Sequence, residues 1–351
     1  TSTLTPEVRK ATYRQIMKAG RWLNSHHPDI LSPAQWTREL AATFVAAVER
    51  MNAVEWTGRK PIPEMSQKPL SPRTKNYFIG ALRVFFRDCQ RWEWMPVHFN
   101  PDQALSTPSS ILRFIGPDPR TLAEDIWAKL LWAGLNLSAE DLPEGRARKG
   151  VGRAYPLEMV RAVALVWLFS GSRVNEICRL RQGCVRWQRA EGGVGEDICL
   201  LEIPVNKTGS AFWRPVDSVV GRAIANWQAV RPPTGLLPDA KTGERVELLF
   251  AYRDVPLGHG YINEILIPLL CVKAGVPLAD ARGAITSHRA RATIASQLYA
   301  ARDGMTLTEL QQWLGHRVPE STRSYVAVTA AQQARAYQDA DYLERNLRRV
   351  A

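Results

Sequence analysis

The sequence predicts a mainly α-helical protein with one small antiparallel β-sheet, divided into two domains. Three observations carry this expectation. Hydroxyl N-caps followed by proline open helices repeatedly in the first hundred residues. A stretch rich in Pro, Ser and Asp over 100–119 separates that region from the rest. Short β-like runs at 184–188, 198–205 and 212–216 are then set among further helical patterns. The expected layout is a helical domain over 1–108, a linker over 109–118 and a mixed α+β domain over 119–351.

Taken in order, Thr5-Pro6-Glu7, Ser32-Pro33-Ala34 and Ser71-Pro72-Arg73 each place a hydroxyl cap before Pro at the first helical position. In the third helix Phe78, Leu82, Phe85, Cys89 and Trp92 recur at steps of three and four, which predicts one buried stripe. On another face Arg83, Arg87 and Arg91 form a basic ridge, with Arg73, Lys75 and Asn76 in the first turn. Such a ridge is ordinarily a solvated face; contact with phosphates is the alternative. Beyond the linker, a helical block begins near Thr121 and runs through Trp127 and Leu131. A charged, Gly-containing loop follows at 140–152, then a helix over 156–169. After the β-like runs, Ala-rich helices continue to the end, and no internal repeat is visible.

Composition narrows the function. With 351 residues, 45% hydrophobic and 9% aromatic, the chain can bury sizeable cores, which excludes wholesale disorder. Its net charge is +12, and 21 basic against 15 acidic side chains over 1–150 show that both halves share the excess. A polyanion running along the molecule explains that distribution; general solubility is the bland alternative. The longest apolar run, 162–169, is too short to cross a bilayer, and no secretory leader is recognisable, so a cytoplasmic protein without a membrane partner is expected. The chain opens on Thr1 rather than Met, so a preceding domain is compatible with it. Five widely spaced cysteines with no C-x-x-C pair argue against a disulfide framework and a zinc site, and for a reducing compartment.

Individually the chemical motifs are ordinary. Arg173 follows a Gly-containing turn and stands three residues before Glu176, the spacing of a surface salt bridge. Lys207 sits at the tip between two strand-like runs, where lysine is usually solvated. His288 and Arg291 share a face in the first turn of a helix capped by Thr286 or Ser287, where anions are favoured. Leu314-Gly315-His316 is followed, nine residues after His316, by Tyr325. Their joint order has one chemistry in common: two arginines, a lysine and two histidines can surround a phosphodiester, and a tyrosine hydroxyl can attack it.

This ordered set resembles the tyrosine recombinase (phage integrase) family, with all six active-site positions in sequence, over roughly residues 119–330. The first hundred residues look like that family's helical, SAM-like core-binding domain, and the charged loop at 140–152 departs from the common pattern. The resemblance implies a two-domain architecture that breaks and rejoins DNA without metal, ATP or other cofactor. Arg173 and Arg291 would clamp the phosphate, because a planar guanidinium matches two phosphate oxygens. His288 and His316 would donate further hydrogen bonds, with His288 also a proton acceptor for Tyr325. Glu176 would hold Arg173, Lys207 would protonate the leaving 5′ oxygen, and Tyr325 would be the nucleophile; a phenol attacks poorly until cationic neighbours favour the phenolate.

The implied product is a 3′-phosphotyrosyl bond, exchanged through a Holliday junction by a homo-tetramer on paired sites of double-stranded DNA. The two domains would form a C-shaped clamp, with Arg73, Lys75, Asn76, Arg83, Arg87, Arg289 and Arg323 as DNA-contact candidates. A C-terminal helix carrying Ala334, Tyr337, Ala340 and Leu343 would dock on a neighbouring protomer. The family reading places the protein with the nucleoid, and the tryptophan-rich first domain is similar to transposon-borne members. Competing readings are a type IB topoisomerase-like enzyme that relaxes DNA by swivelling, and a DNA-binding protein without catalysis.

Overall fold

The computed structural model describes residues 6–58, 67–143, 155–189, 197–206, 209–301 and 303–326. Lys207, most of the charged loop and the segment carrying Ala334, Tyr337, Ala340 and Leu343, expected to be a C-terminal helix, lie outside them. The chain separates into two compact units, 1–116 and 117–351.

The first unit is built on α1 (Pro6–His26), α2 (Arg38–Arg50) and α3 (Pro72–Arg91). Ser71 caps α3 as expected, accepting the Thr74 N–H. Ser32 caps only a single 3-10 turn, Pro33–Gln35. Trp36 is extended and buried there, so the chain leaves the helical path and Thr37 starts α2 instead. Phe44 lies at the centre of the core, edge-on to Trp22 at 5.1 Å and to Phe78 at 5.2 Å.

Along α3, Phe78, Leu82 and Cys89 are buried as the periodicity requires, but Trp92 is 48% exposed. The helix stops at Arg91, and Glu93 in the left-handed region (φ 58°) turns the chain away. Phe85 is half-buried, and its neighbour Phe86 fills the core instead, against Trp36 and Phe99. The expected linker also contributes to this unit: Ser109–Leu112 is a helical turn whose Ile111 joins the core, and the boundary falls after Gly116.

In the second unit α4 (Glu124–Leu135) precedes α5 (Leu157–Ser170). Apart from Arg161, every residue of α5 from Met159 to Leu168 is buried, so this helix is apolar on nearly all sides and occupies the centre. The short α6 (Val174–Cys178) follows. β1 (Val185–Gln188), β2 (Ile198–Ile203) and β3 (Phe212–Val216) form the anticipated antiparallel sheet in the order β1-β2-β3, with Leu201 opposite Arg214.

Next come α7 (Ser218–Val230) and α8 (Ile267–Ala274). They are followed by α9 (Ser287–Ala300), α10 (Leu307–Leu314) and α11 (Pro319–Arg323). Three two-stranded ladders of two residues per strand lie between β3 and α9. Strands of two residues carry no alternation, so the sequence does not mark them. All five cysteines are buried and free. No described helix is long and apolar enough to cross a membrane.

Candidate active site

The site forms where two helices end. α5 terminates at Gly171, in the left-handed region at φ 60°, and α10 terminates at Gly315, at φ 65°. Side chains are excluded at both: a Cβ on Gly171 would meet the Trp313 ring at 2.8 Å, and one on Gly315 the Phe212 ring at 2.5 Å. Each helix thus presents unpaired C-terminal carbonyls, which carry partial negative charge.

Arg291, in the second turn of α9, meets both ends. Its Nη1 donates to Gly171 O at 2.6 Å and its Nη2 to Leu314 O at 2.7 Å. The side chain is buried and its Nε has no partner among the described residues. Burial, and then the Arg173 charge, push the Arg291 guanidinium down to about 10.

Arg173 lies just past the α5 turn and caps α6. Its backbone N–H donates to Glu176 Oε2 at 2.9 Å, and its Nη1 to Glu176 Oε1 at 2.7 Å. The spacing alone suggested a surface pair, but the Glu176 side chain is only 1% exposed. Although burial pushes this carboxyl up, Arg291, Arg214 and Arg173 outweigh it and hold it below the ordinary carboxylate range. Asn206 Nδ2 also donates to Glu176 Oε1 at 3.1 Å. The chain at Val205 is held in turn by Arg179, whose Nη1 donates to Val205 O at 2.7 Å while its fork grips Asp239. Lys207 follows directly but lies outside the described residues.

His316 follows Gly315. Its Nδ1 is 3.0 Å from Thr322 Oγ1 and its Nε2 is 3.2 Å from Arg291 Nη2. α11 turns the chain back, so that Tyr325 stacks on His316 with centroids 5.5 Å apart and planes at 24°. The Arg291 guanidinium lies 5.9 Å from the Tyr325 ring centre, and Tyr325 Oη is 3.4 Å from Nε2 of the exposed His288. Ser296 on α9 donates to Tyr325 O at 2.7 Å, fixing the backbone. Tyr325 is therefore brought to His288, Arg291 and His316, and Arg291 shares Glu176's electrostatic surroundings with Arg173.

Three side chains escaped the sequence reading: Arg214, Asn206 and Thr322. Arg214 left a faint signal, an arginine between Phe212 and Val216 on one face of a strand. Asn206 and Thr322 left none, since short polar residues in turns are common.

The DNA-contact candidates divide. Arg289 is a correction: its side chain is 2% exposed, paired with Asp280 at 2.5 Å and bonded to the carbonyls of Arg120, Thr121 and Gly283. It neighbours His288 in sequence, but one residue is a 100° turn of the helix, which aims it inward. Arg83 is also committed internally, to Leu105 O at 3.0 Å and Thr107 Oγ1 at 3.3 Å. Asn76 accepts from Thr107 Oγ1, Lys75 donates to Glu49 O and Arg73 to Gly116 O. Arg87 and Arg323 are exposed, with long ion pairs of 4.0 Å to Asp102 and 3.8 Å to Glu320.

Comparison with solved structures shows the fold. The Tn1549 transposon integrase, in complex with a circular intermediate DNA, aligns at a TM-score of 0.56 and 16% identity, covering 97% of this chain and 95% of that one. The XerH site-specific recombinase bound to a palindromic difH substrate aligns at 0.55 and 17%, covering 93% and 76%. A lambda integrase dimer bound to a COC' core site aligns at 0.53 and 14%, covering 93% and 90%. No curated protein matches the chain. Residues 155–332, which include Arg173, Glu176, His288, Arg291, His316 and Tyr325, match the phage integrase family model, and the chain belongs to that family, the tyrosine recombinases, enzymes that cut and rejoin DNA.

Proposed function

We propose that Tyr325 is the nucleophile of site-specific DNA recombination, and one observation carries this: its hydroxyl is 3.4 Å from His288 and its ring lies against His316, beside Arg291. In the proposed step Tyr325 Oη bonds to a backbone phosphorus and passes its proton to His288. The P–O5′ bond breaks, and the 5′ oxygen takes a proton from Lys207. The charge spread over the non-bridging oxygens meets Arg173 and Arg291, fixed beforehand by Glu176 and by helix-end carbonyls. Attack of another 5′ hydroxyl on the 3′-phosphotyrosine reverses the chemistry and joins the new strand. The bond energy stays in the covalent intermediate, so the cycle consumes no ATP.

Strand exchange through a Holliday junction needs two duplexes, and a homo-tetramer on paired sites, with the C-terminal helix exchanged between protomers, completes the proposal. Relatives bound to transposon, phage core-site and difH DNA support DNA as the substrate. We further propose Arg87 and Arg323 as backbone contacts, and nucleoid DNA in the cytoplasm as the place of action.

The test is a library of nicked duplexes of randomised sequence, incubated with the chain and quenched in detergent. A detergent-stable adduct is expected for the wild type and none for Tyr325→Phe, whose duplex affinity stays within about twofold, a change of under 0.5 kcal/mol. EDTA leaves the adduct yield unchanged. Adduct from Tyr325→Phe removes Tyr325 from its role, and sequencing the trapped DNA identifies the site.

A further inference from the structure

Arg214 is fully buried on β3, yet no part of the proposed chemistry uses it. Its Nε donates to Trp313 O at 2.7 Å, and its Nη1 to Ser170 O at 2.7 Å and Ser172 Oγ at 2.9 Å. Its guanidinium lies 4.9 Å from the Trp313 ring centre and 5.2 Å from that of Phe212. Nη2 is buried with no partner among the described residues.

These acceptors are immediate neighbours of those held by Arg291. Arg291 binds Gly171 O and Leu314 O; Arg214 binds Ser170 O and Trp313 O. Two guanidiniums therefore tie together the same two helix ends, one residue apart on each. The turn after Ser170 leads to Arg173, and the turn after Trp313 leads to His316.

An ordinary packing role does not account for this. Leu201, the cross-strand partner of Arg214, is an apolar core residue, and another apolar residue would fill such a position without desolvating a charge. Burial, and then the like charge of Arg291, push the Arg214 guanidinium down to about 9. What an aliphatic residue lacks is a rigid fork that can hold Trp313 O, Ser170 O and Ser172 Oγ at once. Orphan carbonyls at two helix C-termini supply the compensating negative potential.

We propose that Arg214 is a positioning residue for DNA cleavage: it locks the turn carrying Arg173 to the turn carrying His316 and thereby sets the phosphate clamp without touching DNA. This rests on the recombinase reading above. A displacement of about 1 Å between clamp members is enough to cost on the order of 100-fold in rate.

The experiment uses the whole chain and a nicked duplex recovered as covalent adduct in the randomised selection. Arg214→Lys and Arg214→Gln are compared with wild type in single-turnover adduct formation at saturating DNA, with equilibrium binding and far-UV circular dichroism in parallel. Both variants are expected to form adduct at least tenfold more slowly, with duplex Kd within twofold and an unchanged helical spectrum. A second readout separates positioning from general loosening. The groups facing His316 are Arg291, Thr322 and Tyr325, with Arg173, Arg214 and Glu176 acting on it through charge. In Arg214→Lys, which keeps the like charge, the His316 imidazole should stay low by NMR as in the wild type, whereas general loosening would let it rise toward its ordinary value.

A folded variant that cleaves at the wild-type rate overturns the inference. So does one whose loss lies entirely in Kd, which would make Arg214 a binding group. Should Arg214→Gln not fold, Arg214→Lys keeps the charge and is judged by the same rate and affinity criteria. A wild-type chain that yields no adduct from any duplex overturns the recombinase reading and this inference with it; wild-type adduct with unimpaired variants overturns this inference alone.

Discussion

His316 Nε2 lies 3.2 Å from Arg291 Nη2. A guanidinium only donates, so the imidazole is the acceptor and its proton resides on Nδ1, directed at Thr322 Oγ1. The family resemblance implies a donor at His316. In the arrangement described, donation from Nε2 to a phosphate requires Arg291 first to move its Nη2 and the imidazole to carry a proton on Nε2, as it does in the other neutral tautomer with the Thr322 hydroxyl donating to Nδ1.

That neutral state has a consequence for acid stability. Burial, and then the charges of Arg291, Arg173 and Arg214, push His316 down to about 3 from an ordinary value of 6.5. Below pH 6.5 the unfolded chain takes up a proton that the folded one refuses. The contribution of His316 is therefore full above pH 6.5 and is lost as pH falls toward 3. Urea unfolding of wild type against His316→Gln should show the wild type losing stability more steeply across that window. Parallel curves would mean that His316 is protonated in the fold.

Arg291→Lys and Arg173→Lys should each slow adduct formation by about 100-fold or more, the scale of losing one preorganised donor. A lysine ammonium cannot span Gly171 O and Leu314 O while presenting a planar fork to phosphate. Single-turnover rates at saturating DNA measure this. A rate within threefold of wild type would move the clamp elsewhere.

Glu176→Gln keeps the shape of a buried carboxylate and removes its charge. Arg173, Arg214 and Arg291 then face one another without their common counter-ion. Breaking a buried pair of this kind costs about 3–5 kcal/mol. Denaturant unfolding should register the loss, and guanidinium-directed NMR should show Arg173 released. An unchanged midpoint would show that Asn206 alone supports the turn.

Arg289 and Arg87 should behave as opposites. Arg289→Met should lower the melting temperature and leave the salt dependence of DNA binding as it is, because its donors are bound within the fold. Arg87→Ala should leave the melting temperature alone. It should reduce the slope of log affinity against log salt by about one, the value for one phosphate contact. A salt slope that changes in Arg289→Met would return that residue to the DNA surface.

The order Arg173, His288, Arg291, His316, Tyr325 and most of the longer elements are legible in the sequence alone. Helix caps, Pro at a first turn, periodicity in α3, the apolar run of α5 and the nine-residue step to Tyr325 are all written within a few turns of chain. Arg214 and Arg289 look like any other arginines in the sequence, and Trp92 looks like the end of a buried stripe. Whether a charge is buried, and what it then binds, depends on which distant segments pack beside it. For Arg214 those segments are Ser170 and Trp313, 44 and 99 residues away. Local preferences cannot encode such encounters, because they arise when separate helices meet and their unpaired carbonyls need donors.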